Sequence, residues 1–82
     1  MTKKLTSQDI GQLIRQTRKG LGITQEALAL AAGTGLRFIS DLERGKPTCE
    51  LEKTLHVLNM LGIRIQFFTP VADIEDRLQG KG

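Results

Sequence analysis

The stretch from Ile23 to Gly45, ITQEALALAAGTGLRFISDLERG, restricts the possible folds of this chain more than any other feature. It reads as two short helices joined by a glycine turn. Thr24 is an N-cap residue, and Gln25 and Glu26 fill the first turn, where an acid suits the helix dipole. Leu28, Ala31 and Ala32 give the first helix a narrow apolar face of small residues, which lets another helix approach closely. Gly33 falls where the helix must end in a left-handed residue. The second helix is expected from about Leu36 to Glu43, with Ile39 and Leu42 on its buried side and Gly45 closing it. Helices joined by so short a turn cannot lie antiparallel, so they cross steeply.

The rest of the chain must supply a core for that pair. At 82 residues and 9.1 kDa it makes one small domain, near the size where a single core is marginal. The three aromatic residues are all Phe, so the core is expected to be aliphatic. Cys49 is the lone cysteine and cannot close an internal disulfide, which leaves a partner subunit as the expected support. A single thiol without metal-spaced companions also fits a reducing cytosol. No secretion leader and no apolar run of about 18 residues is seen, so the expectation is a cytoplasmic protein without a membrane span.

Charge is unevenly distributed. Residues 1–46 carry eight Lys/Arg against four Asp/Glu, whereas residues 47–82 carry four against five. The basic half contains the two-helix unit, which points to a polyanion partner; ordinary solvated surface is the alternative. Catalysis finds no footing, with no paired carboxylates, metal-spaced ligands or nucleophile–base set, so no catalytic residue, metal or cofactor is expected. GLG at 20–22 and GTG at 33–35 are not phosphate loops, because neither follows a strand or precedes Gly-Lys-Ser/Thr.

In chain order, a short basic tail precedes a first helix expected from near Ser7 to about Lys19, with Asp9 in its first turn. Ile10, Leu13, Ile14 and Leu21 form its expected core face, with Arg15, Arg18 and Lys19 on other faces. After the central pair, Thr48 is the expected cap of a fourth helix that buries Leu51, Leu55, Leu58 and Leu61 and ends at Gly62. His56 reads as a solvated or half-buried structural residue. The pattern then switches to alternation, with Ile63, Ile65 and Phe67 on one face of a strand. A lone strand invites a second copy to pair with it, so a homodimer is expected through Ile63, Ile65 and Phe67 with Leu61; an extended tail packed on its own domain is the alternative. Thr69-Pro70 opens a short last helix with Val71, Ile74 and Leu78 on one face. The expected division is residues 1–62 for the helical domain and 63–82 for the dimerising strand and tail.

The ordered set Thr24-Gln25, Leu28-Ala29, Ala32-Gly33, Ile39-Ser40, Leu42-Glu43 and Gly45, followed by Leu55 and Leu58, resembles the phage-repressor-like, Xre-type helix-turn-helix proteins. ERGKPT followed by LHVLNMLGIRIQF is similar to one branch, the HipB-type antitoxins and their Y4mF-like relatives. The resemblance implies a mainly α, lambda-repressor-like DNA-binding domain of four to five helices, whose C-terminal β-strand pairs across a homodimer. It also implies an autorepressor that binds a palindromic operator on double-stranded DNA and a HipA-like kinase toxin. A phage-type repressor, a restriction-modification controller and a protein-interaction adaptor with little DNA binding are the alternatives.

On this reading the third helix is the recognition helix, and its first turns meet base edges. Gly35, Leu36, Arg37, Ser40 and Asp41 are the expected base-reading residues. Arg37 is the side chain able to give guanine two hydrogen bonds. Paired with Asp41 at i, i+4, it also has an ordinary surface role. Thr24, Gln25, Thr34, Arg44 and Lys46 are the expected phosphate contacts, with Gln25 on one side and the Arg44–Lys46 segment on the other as in the proteins it resembles. Phe38 reads as packing, and Glu43 as a structural acid paired with Arg15.

Overall fold

A computed structural model describes residues 4–71, 73 and 74. Four helices follow in order: α1 Ser7–Gly20, α2 Gln25–Ala32, α3 Leu36–Glu43 and α4 Leu51–Met60. α3 packs against both α1 and α2, and α2 packs against α4. The shared core is Ile14, Leu28, Ala29, Ala32, Ile39, Leu42, Val57, Leu58 and Leu61. It is aliphatic, as the scarcity of aromatics predicts.

Two helix starts have a side-chain cap. Thr6 caps α1 in a reciprocal box, with Asp9 N–H donating to Thr6 Oγ1 (3.1 Å) and Thr6 N–H donating to Asp9 Oδ2 (3.0 Å). Thr24 caps α2 by accepting from Ala27 N–H (3.0 Å). Gly33 ends α2 at φ 69°, and Thr34 N–H closes the turn on the Ala29 carbonyl (2.9 Å). α3 begins at Leu36, with Gly35 at its cap position and no side-chain cap.

Several expected core positions differ from those observed. On α1 the buried stripe is Gly11, Ile14 and Arg18, while Leu13 and Leu21 are exposed and Ile10 is half-buried. The cause is backbone proximity. A Cβ at Gly11 would strike the Leu42 carbonyl, so α1 meets α3 along a glycine and not along Leu13. On α2 the buried small residue is Ala29; Ala31 faces solvent. α4 starts at Leu51 with Glu50 as its cap position, not at Thr48, which shifts its buried stripe to Thr54, Val57 and Leu58. Thr54 occupies a core position because its hydroxyl donates to the Glu50 carbonyl (2.8 Å), and Leu51 is left exposed. Phe38 packs on the core edge as expected, with Lys53 Nζ 5.8 Å from its ring centre.

Residues 63–69 form no ladder within the chain, and no strand is present among the described residues. Ile63 is half-buried, whereas Ile65, Phe67 and Phe68 are exposed. Leu61, expected at a subunit interface, is buried in its own core. The last helix lies mostly outside the described residues. No described helix is long and apolar enough to cross a membrane.

Candidate nucleic-acid interface

The eight residues of α3 divide sharply. Ile39, Leu42 and Glu43 turn inward, whereas Leu36 and Arg37 face solvent. The Arg37 side chain is 90% exposed. Gln25, Leu36, Arg37, Ser40, Asp41 and Arg44 together line an open depression of about 410 Å³ between the start of α2 and the outer face of α3. Six of the expected contact residues therefore share one surface. Thr24, Thr34, Gly35 and Lys46 do not line the depression, although Lys46 reaches its edge through Asp41.

Glu43 is the structural anchor beneath this surface. Arg18, not Arg15, is its partner: Nε donates to Oε2 (2.6 Å) and Nη2 to Oε1 (3.1 Å). The side chains are only 9% and 2% exposed. Arg18 Nη1 also donates to the Ile23 carbonyl (2.9 Å), tying α1 to the turn before α2. Burial alone would push the Glu43 carboxyl up. The hydrogen bonds from Arg18 and Gln25, with the charges of Arg18 and Arg15, outweigh burial and hold it below the usual carboxylate range. The Glu43 hydrogen bond raises the Arg18 guanidinium further, against the opposing effect of burial. Gln25 joins this network through Nε2 donating to Glu43 Oε1 (3.0 Å), so its amide is already oriented.

Asp41, expected to read a base, lines the depression from a nearly buried position. Its carboxylate is 12% exposed and surrounded by cations: Arg44 Nη2 at 2.5 Å, Lys46 Nζ at 3.5 Å and Arg37 Nε at 3.9 Å. Arg44 Nη1 also donates to Ser40 Oγ (2.7 Å). Sequence reasoning paired Asp41 with Arg37 alone and missed this hub, along with the buried role of Arg18. The spacing of Gly11, Ile14 and Arg18 at i, i+3 and i+7 carried the signal for Arg18.

The residues named for dimerisation are dispersed differently. Ile63 and Ile65 line a separate apolar groove of about 250 Å³ together with Leu5, Leu13 and Leu58. Phe67 stands exposed beyond it, and Leu61 is in the core. Among the described residues no group of three or more His, Cys, Asp or Glu could hold a metal ion. His56 is exposed, and the half-buried Cys49 thiol is pushed up by burial.

A helix-turn-helix domain family matches residues 11–68, a span running from α1 past the end of α4. The chain is 49% identical over 71 residues to an uncharacterized HTH-type transcriptional regulator, y4mF, of Sinorhizobium fredii, covering 85% of this chain and 93% of that protein. Two solved structures share the fold at 20% identity. A single-residue variant of HipB in complex with an O2 20mer superposes with a TM-score of 0.74, covering 87% of this chain and 99% of that one. HipB in complex with an O4 20mer gives 0.73, covering 87% and 100%. The packed α2–α3 pair, the family match across most of the chain and the close relative agree: this protein belongs to the helix-turn-helix family of transcriptional regulators, built on a HipB-like fold.

Proposed function

We propose that the chain is a sequence-specific DNA-binding repressor that reads a palindromic operator as a homodimer. The outward face of α3 carries this reading: Arg37 stands almost fully exposed on the first turn, with Leu36 and Ser40 beside it and Arg44 and Lys46 on its flank. A helix presented in this way enters the major groove by its N-terminal end. Gly35, Leu36, Arg37 and Ser40 then meet base edges, with Asp41 beneath them. Thr24, Gln25, Thr34, Arg44 and Lys46 take phosphates, which position the fold without reading sequence. The amide of Gln25, already fixed by Glu43, supports its part as a clamp.

Dimerisation would pair the Ile63–Phe67 segment with its copy and set two α3 helices about one turn of DNA apart, roughly 34–36 Å. The exposed Ile65 and Phe67 support this. Within the HipB-like fold, the specific role proposed is the autoregulating antitoxin of a HipBA-like pair, which also neutralises a HipA-like kinase.

Titration against the DNA upstream of its own gene, by fluorescence anisotropy at several salt concentrations, tests the repressor. Tight binding with a steep salt slope and a clear gap over scrambled DNA is expected. Equal, weak binding to both DNAs refutes it and favours a protein-interaction adaptor. Coelution with a HipA-like kinase encoded beside it tests the antitoxin role, and its failure leaves the repressor standing alone.

A further inference from the structure

The Asp41 hub has an arrangement that plain packing does not require. A carboxylate lies just under the DNA-facing surface, almost buried, and holds three cations whose outer parts remain in solvent. Arg44 reaches it with one guanidinium nitrogen while the other is held by Ser40 Oγ (2.7 Å). Lys46 is tied twice, by its ammonium to the Asp41 carboxylate and by its N–H to the Asp41 carbonyl (3.0 Å). Around the carboxylate stand one residue proposed to read a base and two proposed to contact phosphates.

We infer that Asp41 is a positioning residue that sets the gap between operator and non-specific binding, by occupying these three cations as an internal stand-in for phosphate until the correct duplex displaces it. The inference rests on the DNA-binding reading above and deepens it. Non-specific affinity comes almost entirely from Lys and Arg neutralising phosphates and releasing the DNA's counterions, with a salt slope that counts those contacts. A carboxylate that competes for Arg37, Arg44 and Lys46 lowers that term on any DNA. Only a site that satisfies Arg37 at a base edge and Arg44 and Lys46 at phosphates together compensates for breaking all three contacts. A side chain that merely stapled the end of α3 would have a different signature, since its loss would weaken binding to every DNA alike.

Asp41→Asn keeps the shape and removes the charge. Anisotropy titrations of wild type and variant against operator and scrambled duplexes, over a range of salt, test the inference. For the variant, scrambled DNA should bind roughly three- to tenfold tighter, with a salt slope steeper by about one unit. Operator affinity should stay level or fall, so the gap narrows. On an Arg44→Gln, Lys46→Gln background the same change should have a much smaller effect. Affinities that rise together, fall together or stay unchanged overturn the inference.

Should Asp41→Asn not fold, the carboxylate carbon of Asp41 in the wild-type protein gives an independent readout. Its NMR shift should move on adding operator duplex, and a stationary signal overturns the inference. Wild type that shows no gap between operator and scrambled DNA refutes the repressor itself, a failure distinct from a gap that is present and indifferent to Asp41.

Discussion

Replacing Arg18 with methionine removes both hydrogen bonds to Glu43 (2.6 and 3.1 Å) and the one to the Ile23 carbonyl (2.9 Å), while keeping an apolar stem in place. Glu43 is left 2% exposed with Gln25 as its remaining hydrogen-bond donor (3.0 Å). Removing one partner of a buried pair costs about 3–5 kcal/mol, because the other charge stays desolvated. The surviving Gln25 bond places the expectation near the lower end, about 3 kcal/mol. A domain of 82 residues has a total stability of roughly 4–12 kcal/mol. At about 4–8 °C per kcal/mol, the melting temperature should fall by roughly 12–24 °C. Far-ultraviolet circular dichroism on heating, at one fixed protein concentration, measures it.

The pH dependence adds a second check. In the wild type, Glu43 is held below its unfolded value, so its contribution is complete above that value and is lost as pH falls through the folded one. Without Arg18 burial is opposed only by Gln25 and Arg15, so the hold on the charged carboxyl weakens and the variant has less stability to lose on acidification. The gap between the two proteins is therefore largest near about pH 7 and narrows toward about pH 4. The double change Arg18→Met, Glu43→Leu should recover most of the loss, since neither buried charge of the pair remains. A loss below about 1 kcal/mol for Arg18→Met, or a gap that widens on acidification, refutes the reasoning.

Three further outcomes are expected. Arg37→Ala should lose roughly 1–3 kcal/mol of discrimination between operator and mismatched sites in competition binding while leaving oligomeric state unchanged, because the side chain is 90% exposed and its ion pair with Asp41 is long, at 3.9 Å. Ile65→Asp should convert a dimer to a monomer in analytical sedimentation and sharply weaken operator binding; an intact dimer would move the interface elsewhere. Gly11→Ala should destabilise by about 1–3 kcal/mol in urea titrations, since the added methyl meets the Leu42 and Glu43 carbonyls of α3, and an unchanged midpoint would show that α1 can move aside.

The central helix pair was legible from local chemistry, whereas the expected Thr48 cap of α4 was not borne out. Thr24, Gly33 and the Ile39–Leu42 pair determine α2 and α3 by capping, a left-handed turn and helical spacing, and the structure follows them to the residue. Long-range partners were not legible in the same way. Gly11 and Thr54 hold core positions through contacts with a carbonyl, one on another helix and one a turn away, so a search for large apolar residues passes over them. Arg18 and Asp41 read as surface charges because only the folded chain brings Glu43 to the first and Arg44 and Lys46 to the second. Six of the expected contact residues do share one surface, but the network that ties them together was illegible.

The split personality of α3 has a consequence for how such proteins diversify. The helix is gripped from within by Ile39, Leu42 and Glu43, none of which can change without disturbing α1 or α2. Leu36 and Arg37 contribute little to that grip, so substitutions there have small thermodynamic effects on folding. If these residues read the operator as proposed, target preference can drift through a few exposed letters while the scaffold keeps its packing, so a new operator needs no new domain.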